Sequence, residues 1–486
     1  MSLAQSWSFF NKEIEIHRYD RALVIIGHVF FGLQLIMSLI YYKERLLSFD
    51  AANYTFQLIY FEDFYIGHDR WISAPTQLLP LLAIKLGASL KVILMSYSAS
   101  FILFYYVLFN LMVYGLRQAR VGVFLALSLC LAMRYKFYGP VGEVILSIGM
   151  VGLLQAWLWR ERADFSWPAW VHWSLGLGIT AMIVFAGHPF AALAVFYLLG
   201  FEMIAQRRWK DGQTWAMIAL ALVGYGRKYI SLQAEGSYEA GQMDNLQESF
   251  AMLSQFNTYY VFDRISWFFE TEYAFPFAIF LIVVGVLCWK RHWLLALFIL
   301  ASHLAMLAAI MIAFAYLNDP IYILLDGYLS HLGIIWSLPI VYVFCQEKKW
   351  WSLALLVILL GFGLDRIHEK KAFFQERLGL LEGLLETNVT TQDRKLLHHI
   401  DHFDWGKMWM PWAVGVETLM LTALEGPESA ATLYFKQHLQ DEDDQLQDPN
   451  LFLGVHYSPF IFESDSLPKH LFQLKKGLYK RIDPGK

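Results

Sequence analysis

Residues 48–87 read SFDAANYTFQLIYFEDFYIGHDRWISAPTQLLPLLAIKLG and form most of a segment, Tyr42 to Leu86, that separates the first long apolar run from the second. The segment is too polar to span a membrane and too aromatic to be an ordinary loop. Asp50, Glu62, Asp63, His68, Asp69 and Arg70 stand among Tyr54, Tyr60, Phe61, Phe64, Tyr65 and Trp71. Elsewhere the charges mostly flank apolar runs. Ionisable groups beside a bilayer are costly to hold in place, so a cluster of them points to a functional site.

The setting of that cluster follows from composition. With 57% hydrophobic and 16% charged residues and a mean hydropathy of +0.42, the 486-residue chain is too apolar for a soluble domain. It reads as an all-α polytopic membrane protein. A net charge of -4 and the lack of a long basic run exclude nucleic acid as the expected partner. Cys130, Cys288 and Cys345 lie in or at the ends of apolar runs and form neither a disulfide framework nor a metal-ligand spacing.

A helix needs about 20 apolar residues to cross a bilayer, and about eleven runs meet or approach that length. They lie near 22–42, 91–115, 121–135, 141–159, 169–187, 189–206, 213–226, 274–289, 293–316, 327–345 and 350–364. The first follows Lys12, Arg18 and Arg21 and lacks a small-residue cleavage site, so it is expected to stay as a retained helix. Basic residues recur at every second exit, at Arg117 and Arg120, Arg160 and Arg162, Arg207 to Lys210, Lys290 and Arg291, and Lys348 and Lys349. The positive-inside rule then puts the N-terminus in the cytoplasm, and an odd number of spans sends the C-terminus outside. The expected organisation is a transmembrane domain over 1–365, whose first outer loop, 43–88, carries juxtamembrane helices, and an extracytoplasmic, mainly helical domain over 366–486. The expected location is the inner membrane of a bacterium.

Several residues fit two roles. Arg134, Lys136, Arg227, Lys228 and Arg264 fall on the outer side, against the positive-inside rule. They either snorkel to headgroups or bind an anion such as a lipid-linked phosphate. Glu143, in YGPVGEVIL, is a second acidic site residue or a buried partner of Arg134 or Lys136. His188 and His331, the latter close to Asp319 and Asp326, are satisfied core histidines or members of the site. In the first loop Arg70 is suited to bidentate phosphate contact, with Asp69 to orient it and His68 to hydrogen-bond or protonate a leaving phosphate. Tyr54 and the other aromatics form an interfacial belt or a sugar platform. Asp50 is either a helix cap or a general base, since a carboxylate at a membrane surface can have its pKa raised by burial.

Asp50 soon after the first helix, Tyr54 downstream, HDRWISAPTQLLPLLAIKLG and then a helix from Ser89 together resemble the GT-C superfamily of integral-membrane glycosyltransferases. The likeness lies in the N-terminal part of the chain and in the general topology. It implies that Asp50 takes the role of the superfamily's catalytic aspartate. It further implies a polyprenol-phosphate-type sugar donor and an extracytoplasmic acceptor that is a glycan, a lipid or a protein. The first loop has no Asp-X-Asp and the chain no Trp-Trp-Asp. That argues against an asparagine-linking oligosaccharyltransferase, and neither a divalent metal nor another cofactor is implied. The alternative is a non-catalytic subunit of a larger membrane complex, docking partners through its C-terminal domain. A transporter is a weaker third reading, since no inverted repeat is visible.

Arg70→Lys keeps the charge and loses the bidentate geometry. It is expected to weaken use of the lipid donor while leaving yield and melting temperature unchanged, as measured by donor KM and a thermal melt.

Overall fold

The computed structural model describes residues 18–67, 71–160, 167–231, 260–314, 322–345, 349–399, 408, 410–436, 446–455 and 461–482. Helix α1 is Arg18–Ile40, followed by the short α2, Tyr42–Leu46, and by α3, Phe49–Phe61. A 3-10 turn at Trp71–Ser73 leads into α4, Ala74–Lys85, and α5, Leu90–Asn110, which ends in a π-helical turn at Leu111–Gly115. Next come α6, Ala119–Cys130, α7, Glu143–Trp159, α8, Ala169–Ala186, α9, Pro189–Ala205, and α10, Gly212–Ser231. Then follow α11, Tyr260–Glu270, α12, Ala274–Trp289, α13, Trp293–Phe314, α14, Tyr322–Leu329, and α15, Leu332–Cys345. Helices α16, Trp350–Glu369, and α17, Lys371–Asn388, lead into the C-terminal segment.

Each of the eleven apolar runs contains helix, but they are not alike. Among the described residues, six helical stretches are long and apolar enough to cross a membrane: Arg18–Ile40, Leu90–Gly115, Ala169–Ala186, Trp293–Phe314, Ile323–Cys345 and Trp350–Asn388. The pair α11 and α12, bent by 78°, makes a seventh if it counts as one span. Helices α6, α7 and α9 are shorter and apolar for another reason. At 1.5 Å per residue the 12-residue α6 is about 18 Å long against a hydrocarbon core of about 30 Å. Every residue of α6 from Val121 to Cys130 is buried, with α1, α7, α15 and α16 packed around it. Its all-round hydrophobicity therefore reflects burial in protein.

The first loop is largely helical: α2, α3 and α4 lie between α1 and α5, and α5 begins one residue after Ser89. Gln77 fastens the connection, accepting the Tyr65 N–H at 2.9 Å and donating to the Tyr65 carbonyl at 2.7 Å. Lys85 reaches Glu62 at 3.0 Å.

The C-terminal segment corrects the all-helical expectation. Strands β1, Lys395–His399, β2, Thr432–Lys436, and β5, Lys480–Arg481, form a parallel sheet in the order β2-β1-β5. β3, Leu451–Leu453, pairs antiparallel with β4, Ile461–Glu463. Helix α18, Val414–Ala423, links β1 to β2 and packs on both β2 and α3. All five residues of β2 are buried, so the strand lacks the alternation that marks a half-exposed one and is easily mistaken for part of a helix.

Backbones meet closely where α15 begins. A Cβ on Gly333 would lie 2.4 Å from the Ser128 carbonyl oxygen in α6. Gly333→Ala is therefore expected to destabilise the protein by about 1–3 kcal/mol, seen as a lower melting temperature in detergent.

Candidate functional site

The turn between α6 and α7, residues 131–142, is organised by one carboxylate from α14. Asp326 accepts the backbone N–H of Arg134 at 3.0 Å, the backbone N–H of Lys136 at 2.9 Å and the Arg134 Nε–H at 2.8 Å. The Arg134 guanidinium is fully buried. It lies 3.5 Å from Glu272 and 4.0 Å from the centre of the Phe268 ring. Glu272 is also paired with Lys370 at 2.5 Å. The Tyr273 hydroxyl donates to the Ala132 carbonyl at 2.9 Å.

This framework turns Lys136 inward. The side chain is buried, and its ammonium donates to the Val141 carbonyl at 3.1 Å. Gly142 lets it in, since a Cβ there would sit 3.0 Å from Lys136 Nζ. Burial pushes the ammonium below the usual lysine range, opposed by the negative charges of Asp50, Glu143 and Asp326. Three carboxylates thus act on one buried lysine.

Two of them are the residues expected to carry catalysis. Asp50 lies in the first turn of α3 and is half-buried, and Glu143 is the first residue of α7 and is buried. Ser48 occupies the N-cap position of α3, so Asp50 is not the cap residue. Of the two partners anticipated for Glu143, Lys136 is the one that feels its charge. Arg134 goes to Asp326 and Glu272 instead.

The other expected residues fall into two groups. His188 is the N-cap of α9: its Nδ1 accepts the Phe190 N–H at 3.2 Å, and its Nε2 lies 3.2 Å from the Tyr328 hydroxyl. Lys228 donates to the Gly187 carbonyl next to His188. Arg227 is exposed, 5.8 Å from the Phe185 ring, and His331 is fully buried, 6.3 Å from Phe190. Tyr328 stands two residues from Asp326, which joins this group to the Lys136 cluster. In the first loop, Tyr54 packs edge-on against Tyr65 at 4.9 Å, with its hydroxyl in the space a Cβ on Gly67 would need. His68, Asp69 and Arg70 lie outside the described residues. The Trp71–Ser73 turn that follows them packs against α7 and α8.

The centre of the site was only half visible in the sequence. Lys136 stood out for breaking the positive-inside rule, and Asp326 was noted only as a neighbour of His331. What marks Lys136 is a lysine between two apolar runs, followed by Gly139, Pro140 and Gly142. Nothing local marks Asp326 as its partner.

Comparison with the models of known protein families, with curated proteins and with solved structures finds no match to this chain.

Removing one charge of a buried pair strands the other, at about 3–5 kcal/mol. Asp326→Asn is expected to lower the melting temperature by that equivalent, and Asp326→Asn with Arg134→Met to recover most of the loss. A thermal melt of both variants checks this.

Proposed function

We propose that the chain is a GT-C-like glycosyltransferase that moves a sugar from a polyprenol-phosphate-type carrier to an extracytoplasmic acceptor. The carrying observation is that Asp50, from the loop after the first helix, and Glu143 both bear electrostatically on the buried Lys136. A base at this position takes the acceptor's proton as the new bond forms. In the transfer, an acceptor oxygen bonds to the anomeric carbon and Asp50 takes the proton. The bond from that carbon to the lipid phosphate breaks, and the electron pair leaves with the phosphate. The departing phosphate needs cations or dipoles. Lys228 and His188, with Arg227 near them and His68 and Arg70 from the first loop, are the groups we assign to it. Tyr54 lines the acceptor side, and no metal enters the scheme.

This proposal carries with it the orientation expected from the basic residues and an odd number of crossings. The N-terminus is cytoplasmic, and the first loop and the C-terminal segment lie outside the membrane of a bacterial cell. One observation favours the alternative of a non-catalytic subunit. Arg134, Glu272 and Lys370 are already paired with protein groups, as a scaffold would have them, and the C-terminal segment would then be the docking surface.

The two are separated by assay in proteoliposomes supplied with a panel of polyprenyl-phosphate hexoses and pentoses and with membrane-extract acceptors. Asp50→Asn is expected to lower transfer by about 10²-fold or more with unchanged yield and melting temperature. Full activity in that variant removes Asp50 as the base, and a wild type that transfers no sugar from any donor moves the assignment to the subunit.

A further inference from the structure

The corner that leads into Asp50 is strained. Ser48 is extended, and Phe49, an aromatic residue, takes a left-handed conformation with φ of 52°. Such a residue persists only where its surroundings over-determine it. What holds it comes from the far end of the chain. The Phe49 N–H donates to Glu417 Oε1 at 2.6 Å. Glu417 sits on α18 and is paired at 2.7 Å with Arg377 of α17. Both charged side chains are buried, and the Arg377 guanidinium lies 4.5 Å from the centre of the Phe49 ring. Burial raises the Glu417 carboxyl, while Arg377 and the Phe49 N–H pull it back. The same α17 reaches the other half of the site, where Phe374 stacks on Tyr138 at 5.0 Å, two residues from Lys136.

A buried ion pair is weak evidence for stability, because apolar residues of similar volume often do as well. One hydrogen bond from this pair ends on the strained residue next to Asp50. We propose that Glu417, held by Arg377, is a positioning residue, fixing through the Phe49 N–H the backbone corner that carries Asp50. The C-terminal segment is then part of the catalytic apparatus. Its role in sugar transfer rests on the function proposed above, whereas its hold on Asp50 does not.

Two full-length double variants isolate the bond. Arg377→Met with Glu417→Gln removes both charges and keeps an acceptor for the Phe49 N–H, and Arg377→Met with Glu417→Met removes the charges and the acceptor. The second is expected to have a kcat about tenfold to a hundredfold below that of the first, at equal donor KM. Carbodiimide labelling of Asp50, followed by mass spectrometry, is expected to run several-fold faster in the second. Equal labelling of Asp50 in the two variants overturns the proposal, as does equal kcat. If the wild type transfers no sugar, the function above fails, and the labelling still decides whether Glu417 holds Asp50. Hydrogen exchange in the unmodified protein is a check that needs no variant to fold. The Phe49 amide should exchange as slowly as interior helix amides, and exchange at the rate of an exposed loop overturns the clasp.

Discussion

The Asp326 carboxylate is the interaction on which the site depends. Three of its donors come from Arg134 and Lys136, so a single side chain locks the turn between α6 and α7 onto α14. Hydrogen bonds to a charged group contribute about 1.5–3 kcal/mol each, while burying a carboxylate and a guanidinium costs several kcal/mol per ion. The two sides nearly cancel. What the arrangement supplies is therefore placement: a turn containing Gly139, Pro140 and Gly142 has little of its own to define it, yet it presents a buried lysine to Asp50 and Glu143.

A second constraint follows from the shortness of α6. Its last carbonyls end inside the bundle, where water cannot satisfy them. Arg366 of α16 donates to the carbonyls of Cys130 at 2.8 Å and Leu131 at 2.7 Å and also reaches the Glu272 carbonyl at 2.6 Å. The Tyr273 hydroxyl takes the Ala132 carbonyl. These groups cap the helix from other parts of the chain, which is how an apolar helix too short to span can stop next to a polar site.

What was legible in the sequence is what short segments decide for themselves. Composition indicated a helical membrane protein, the Pro and Gly punctuation of the first loop marked α4 and the start of α5, and the acidic residues after the first helix drew attention to Asp50. Periodicity could not separate lipid-facing from protein-facing apolarity, so α6 and α15 read like α1, although most of the Ile323–Cys345 stretch is buried and most of Arg18–Ile40 is not. Nor could it find β2, whose side chains are all covered. The partners of Lys136 were out of reach for a different reason: Asp326 lies 190 residues away, and no local pattern links the two.

The same limit hides the contact of the C-terminal segment with the first loop. Arg377 and Glu417 are buried, and their separation from Phe49 in sequence, 368 residues for Glu417, hides their role. Asp50 is thereby set from two sides, by Lys136 through electrostatics and by Glu417 through the backbone just before it. Both depend on buried charges that packing alone would not require, since apolar substitutes are often as stable. A chain that keeps such charges on both sides of one carboxylate gains little stability from them. What it gains is a fixed direction for that carboxylate, which matters to chemistry more than to folding.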